Sequence, residues 1–152
     1  MNILFVCTGN SCRSPMAEAY INMLAARNNC NDVFAESAGI HAFDGGRASM
    51  QAQIVAESFG GDLKNFRSRR FEAHMANDYE LIIAMTAGHL RAIQEIAPGA
   101  NVRMLFDYAG LNGVDVPDPY GENVDGYARV FSYMQKALDA LYANISNSNT
   151  NS

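Results

Sequence analysis

The sequence contains no tryptophan, four prolines and three cysteines among its 152 residues. The cysteine shortage is the most restrictive of these. Cys7, Cys12 and Cys30 form an odd, sparse set, which excludes a secreted disulfide scaffold and leaves free or reactive thiols suited to a reducing compartment. No apolar run approaches the ~18 residues that a membrane helix needs, and no basic stretch precedes a signal-peptide core. A cytoplasmic protein without a membrane partner is therefore expected. Positive charge is scarce as well, with 11 Lys and Arg against 16 Asp and Glu and a net charge of -5. Nucleic acid, which usually meets a basic face, is not an expected partner. His41, His74 and His89 are scattered, and with no second cysteine pair they offer no zinc spacing.

What is present suffices for one core. Hydrophobic residues make up 49% of the chain, and the length allows a single domain, read as 1–144 with a disordered polar tail over 145–152. The run Ile3, Leu4, Phe5, Val6 predicts a strand from Asn2 to Cys7 that is covered on both faces. Met16, Ala17, Tyr20, Ile21 and Leu24 then recur at helical spacing to about Arg27, with Pro15 tolerated in the first turn. The alternation repeats. Strands are expected at 33–37, 80–85 and 101–106, with helices at 47–59, after the cap residue Thr86 through Ala97, and from about Val124 to Tyr142. Such a pattern implies an α/β fold: an open parallel four-stranded sheet with helices on both faces. Ligands of such sheets bind beyond the carboxyl ends of the strands, where Cys7 stands.

The loop between the first strand and the first helix reads Cys7-Thr8-Gly9-Asn10-Ser11-Cys12-Arg13-Ser14. A loop curling ahead of a helix directs successive backbone N–H groups inward, and with the helix dipole they form a nest for a phosphate dianion. Thr8, Gly9, Asn10, Ser11, Cys12 and Ser14 are the expected phosphate-binding residues around it, with Gly9 turning the backbone where a Cβ would clash. Arg13 can close the nest with a planar fork matched to two phosphate oxygens. The same field favours the thiolate of Cys7, a nucleophile at neutral pH. Ser14 is placed to donate to that sulfur, and Asn10 to brace the loop through its amide. Cys12 is either a small residue packed beneath the loop or a partner that traps oxidised Cys7 as a disulfide.

At these residues the chain resembles the low-molecular-weight protein tyrosine phosphatases, whose signature is Cys, five residues, Arg and Ser. Ser14-Pro15-Met16-Ala17-Glu18-Ala19, Ser37-Ala38-Gly39 and Asp118-Pro119-Tyr120 extend the likeness over nearly the whole chain. The resemblance implies a phosphotyrosine protein phosphatase I-like, flavodoxin-like three-layer sandwich. It also implies Asp118 as general acid and base, Cys7 as nucleophile, Arg13 as phosphate clamp, and Phe43 and Tyr120 as substrate-binding walls. Phosphorylated proteins are then the substrates and inorganic phosphate the product, with no metal or organic cofactor. Phe43 stands where many relatives carry tryptophan, Gly121 where a second aromatic is usual, Phe66 in the place of a histidine that braces the loop, and Thr86 in the place of an aspartate.

Those departures, with the small hydroxyl residue Ser11, are similar to a bacterial branch that includes protein arginine phosphatases, which supplies the alternative substrate. Thioredoxin-coupled arsenate reductases share the loop but need two further cysteines, and none follows Cys30. A phosphate-binding module without turnover would need the nest and Arg13 but not Cys7 and Asp118. The cluster Arg67, Arg69 and Arg70 reads as a solvated loop face or a docking patch for an acidic partner.

Overall fold

The computed structural model describes residues 1–150. Strand β1 (Asn2–Cys7) is flanked by β2 (Phe34–Gly39) and β3 (Leu81–Ala84), and β3 by β4 (Val102–Met104), giving the order β2-β1-β3-β4 with every pair parallel. Helices α1 (Arg13–Arg27), α2 (Met50–Ser58), α3 (Ala87–Ile96) and α4 (Val124–Thr150) connect or follow these strands. The alternating side chains of β1 separate two cores. Ile3 and Phe5 join the α1, α2 and α4 residues Met16, Ile21, Ala52, Met134 and Leu138. Leu4 and Val6 join Ile82, Ile93 of α3 and Met75 of a short 3-10 helix, Ala73–Asn77. Three helices thus cover one face of the sheet and α3 the other.

This topology places the site. The chain steps from β1 outward to β2, then returns to the other side of β1 for β3, so a crevice opens where connections after β1 and β3 leave toward opposite faces. Cys7 ends β1 at that crevice, and Thr86 follows β3 there, its side chain accepting from the His89 N–H at the start of α3.

Two expectations are corrected. The strand expected at 101–106 is only Val102–Met104, because the chain tightens at Leu105 into a 3-10 helix that ends at Gly110 with φ 78°. The boundary expected after residue 144 falls inside α4, which continues to Thr150. Ile145 is the physical reason: four residues beyond Leu141, it stays on the inward face, 2% exposed and packed in the larger core. Residues 151–152 of the expected tail lie outside the described residues. Replacing Ile145 with Ala should lower the unfolding free energy by about 2–4 kcal/mol in urea titration, whereas a frayed-tail residue would leave it unchanged.

Candidate active site

Sequence and backbone cooperate in the loop from Cys7 to Ser14. Its outward-facing carbonyls are taken: Cys7 and Thr8 accept from Ile40 N–H and His41 N–H at 2.9 Å each, Ser11 accepts from Ser49 N–H at 2.9 Å, and Cys12 from Met16 N–H. By contrast, among the described residues the backbone N–H groups of Thr8, Gly9, Asn10, Ser11 and Cys12 donate to no protein acceptor. Five unpaired donors at a helix N-terminus are the donor set that an oxyanion requires. A cavity of about 280 Å³ opens on them, lined by Cys7, Thr8, Gly9, Ser11, Cys12, Arg13, Asp118 and Tyr120.

Asn10 makes the turn possible. It carries the left-handed φ of 55°, which asparagine tolerates better than most side chains, and it is fully buried. Its amide is the hub of the supporting shell: Nδ2 donates to Ser14 Oγ and to Ser37 Oγ, both at 2.9 Å, and Oδ1 accepts from Arg69 N–H at 2.9 Å. Since Ser14 Oγ accepts a hydrogen bond from Asn10 Nδ2, its own proton is free to donate to Cys7 Sγ, 2.8 Å away. On the far side Ser37 donates to Glu18 Oε1 at 2.9 Å. Glu18, partly exposed and without an ion-pair partner within 4 Å among the described residues, is pushed up to about 7 by burial. The Ser37 bond opposes that rise, nearby Glu36 adds to it, and Arg69 works against it.

Arg13 enters from the first turn of α1, 4% exposed. Its Nη1 donates to Val116 O at 3.0 Å, and its Nη2 lies 3.5 Å from Asp118 Oδ2. Its Nε is buried with no partner among the described residues, a charged donor in need of an anion. Val116 N–H in turn bonds Met85 O at the end of β3, which pins the 115–120 segment to the sheet. Asp118 Oδ1 accepts from Tyr120 N–H at 3.0 Å, so one oxygen is held by its own turn and the other faces Arg13. The Asp118 side chain is half exposed, which leaves it open to the cavity.

Several residues are placed differently from expectation. Gly9 has ample room: a Cβ there would meet only Ser11 Oγ, at 3.6 Å. The crowded glycine is Gly39, where a Cβ would lie 2.6 Å from Thr8 O and 2.8 Å from Asn10 N. Asn10 and Ser14 lie beneath the loop rather than along the cavity wall. Phe43 is 86% exposed and does not line the cavity, because the strap from Ile40 to Ser49 turns its side chain outward while Ser68 Oγ holds its carbonyl. Tyr120 does line it. Cys12 is a free thiol whose Sγ lies 3.0 Å from Tyr127 Oη, and that phenol is pushed up to about 12 by burial and by the sulfur contact.

The Arg67, Arg69 and Arg70 cluster divides. Arg67 and Arg70 are exposed, but Arg69 donates to Ser37 O at 3.1 Å, hydrogen-bonds Tyr79 and pairs with Glu36 at 3.5 Å. Its backbone N–H braces the loop by donating to Asn10 Oδ1. Sequence reasoning missed Glu18, His89, Tyr127 and the role of Gly39. The Ser14-to-Ala19 string, which contains Glu18, and the Ser37-Ala38-Gly39 string carried signals for two of them.

Comparison with known proteins agrees with this geometry. The family model "Low molecular weight phosphotyrosine protein phosphatase" matches residues 2–151. The chain is similar to a low molecular weight protein-tyrosine-phosphatase of Streptomyces coelicolor, 36% identical over 152 residues, covering 93% of this chain and 91% of that protein. Among solved structures it is similar to the YwlE arginine phosphatase from Geobacillus stearothermophilus, with a TM-score of 0.89, 30% identity and coverage of 99% and 96%. It is also similar to a YwlE arginine phosphatase variant with a phosphorylated active site serine, with a TM-score of 0.89, 32% identity and 96% coverage of each chain.

The raised Glu18 carboxyl has a signed consequence for stability. Below the ordinary value of 4.5 the group is protonated whether folded or unfolded, and its burial carries no charge penalty. As pH climbs from 4.5 through about 7, the unfolded chain releases the proton before the folded one does, and stability is lost. Glu18→Gln removes that slope while keeping an acceptor for Ser37. The melting temperature of wild type should therefore fall relative to Glu18→Gln across this window and run parallel above it. Parallel curves throughout would contradict the assignment.

Proposed function

The chain belongs to the low molecular weight phosphotyrosine protein phosphatase family, and from that premise we propose that it hydrolyses phosphotyrosine in protein substrates through a phosphorylated Cys7. The observation that carries this reading is the loop whose amides at residues 8–12 have no acceptor among the described residues, set against one cavity lined by Cys7, Asp118 and a buried Arg13 whose Nε has no partner there either. A dianionic phosphoryl group would satisfy the loop amides and the Arg13 guanidinium at once, since each of these is a donor awaiting oxygen.

The chemistry runs in two displacements. The Cys7 thiolate, steadied by the Ser14 hydroxyl, attacks phosphorus opposite the tyrosyl oxygen. An S–P bond forms, the P–O bond breaks, and Asp118 passes its proton to the departing phenolate. Asp118, now a carboxylate, takes a proton from a water that attacks the same phosphorus from the vacated side. The S–P bond breaks and inorganic phosphate leaves. Through both steps the loop amides and Arg13 hold the three equatorial oxygens, which are the charge-bearing atoms of the transition state. These side chains carry out the reaction without a metal or organic cofactor. A cytoplasmic setting, where thiols stay reduced, suits a free Cys7, and the net charge of -5 argues against a nucleic-acid substrate.

A second reading has its own observation. Ser11 lines the cavity with a small hydroxyl side chain, and two solved structures similar to the chain, each with a TM-score of 0.89, are of arginine phosphatases. The same steps cleave the P–N bond of phosphoarginine, with Asp118 protonating the guanidino nitrogen. Turnover of one protein phosphorylated on tyrosine and, separately, on arginine decides between them through kcat/KM. A preference for the phosphoramidate of a hundredfold or more replaces the first reading with the second.

Substitution tests the machinery. Cys7→Ser should lower turnover of an aryl phosphate by three orders of magnitude or more, on the order expected for loss of a nucleophile. Asp118→Asn should lower kcat by about 10²–10⁴. Full activity in Cys7→Ser, confirmed by mass to be the intended variant, refutes the covalent mechanism.

A further inference from the structure

His89 is a buried histidine that the two displacements do not use. It sits in the first turn of α3, 8% exposed, and reaches back across the crevice so that Nε2 lies 2.8 Å from Thr8 Oγ1. Its other nitrogen, Nδ1, is buried with no partner among the described residues. Thr8 follows the nucleophile directly, is exposed, and lines the cavity. We infer that His89 is a positioning residue that turns the Thr8 hydroxyl into an additional hydrogen-bond donor for the phosphoryl oxygens of bound substrate.

The argument is one of proton direction. Burial, reinforced by the Arg13 guanidinium, holds the imidazole down to about 4, while Asp115 and Asp118 act the other way. At neutral pH the ring is neutral and carries one proton. A buried N–H without an acceptor is the costlier orphan than a buried lone pair, so the proton belongs on Nε2 and Nδ1 is left bare. Nε2–H then donates to Thr8 Oγ1. A hydroxyl that already accepts a hydrogen bond from its only close partner has its single proton to give elsewhere, and the cavity beside it is where phosphoryl oxygens collect. His89 thus acts through Thr8 and touches no reacting atom.

This inference rests on the phosphatase reading, so the test measures binding of inorganic phosphate as well as turnover of an aryl phosphate. The two properties are compared in Thr8→Val, His89→Leu, the double variant and His89→Gln, each checked for an intact melting transition. Thr8→Val and His89→Leu should each weaken phosphate binding and kcat/KM by about tenfold. The double variant should be no worse than Thr8→Val alone, because the second substitution removes nothing that remains. His89→Gln, which keeps an N–H within reach of Thr8, should recover most of the loss. Where His89→Leu does not fold, His89→Asn, too short to reach Thr8, takes its place in the cycle. Losses that multiply in the double variant, or an unrescued His89→Gln, overturn the inference. Phosphate binding without any turnover in wild type would refute the phosphatase reading alone, and the binding cycle would still decide the role of His89.

Discussion

Backbone N–H groups with nowhere to donate are the constraint around which this molecule is arranged. Burying or half-burying such donors is unfavourable, and an ordinary strand-to-helix turn would satisfy them with caps or carbonyls. Here the carbonyls of Cys7, Thr8, Ser11 and Cys12 are satisfied by Ile40, His41, Ser49 and Met16, while the amides of residues 8–12 have no protein partner among the described residues. The fold therefore fixes the loop by its oxygens and leaves its nitrogens for a ligand. Arg13 follows the same rule, with one Nη spent on Val116 and the Nε unfilled.

Holding that loop needs a rigid base, and the structure places it in the seam between β1, β2 and the start of α1. Gly39 pairs with Cys7 in the sheet, and its missing side chain is what lets Thr8 O and Asn10 N come so close. Asn10 carries the left-handed turn and spends all of its amide on Ser14, Ser37 and Arg69. The polarity of the chain from Asn10 through Ser14 leaves one hydroxyl proton aimed at Cys7 Sγ. Glu18 closes the other end of the chain, accepting from Ser37, and burial holds its carboxyl above the ordinary carboxylate range.

The first strand, the phosphate loop and α1 were legible in the sequence because three independent patterns coincided there: an apolar run, a Cys–Gly–Arg string and helical spacing from Met16 to Leu24. The sheet order, by contrast, is a matter of which strands meet, and no local pattern encodes β2 and β3 flanking β1. Gly9 attracted the steric argument because it lies in the motif, while the crowding falls on Gly39, thirty positions away in sequence and adjacent in space. Phe43 is outside the cavity because an aromatic on a strap has two faces to choose from, and its main-chain bonds decide. Ile145 held the last helix past a run of Asn and Ser that by composition suggests fraying. His89 looked like one of three scattered histidines until the topology set α3 beside Thr8.

The account stands on covalent capture of phosphorus by one sulfur. Wild-type protein mixed with a phosphorylated protein substrate, stopped within a single turnover and digested, should yield a phosphoryl adduct on the peptide carrying Cys7. A phosphoryl group found on another residue, or substrate consumed at full rate with no adduct at any time, would contradict it.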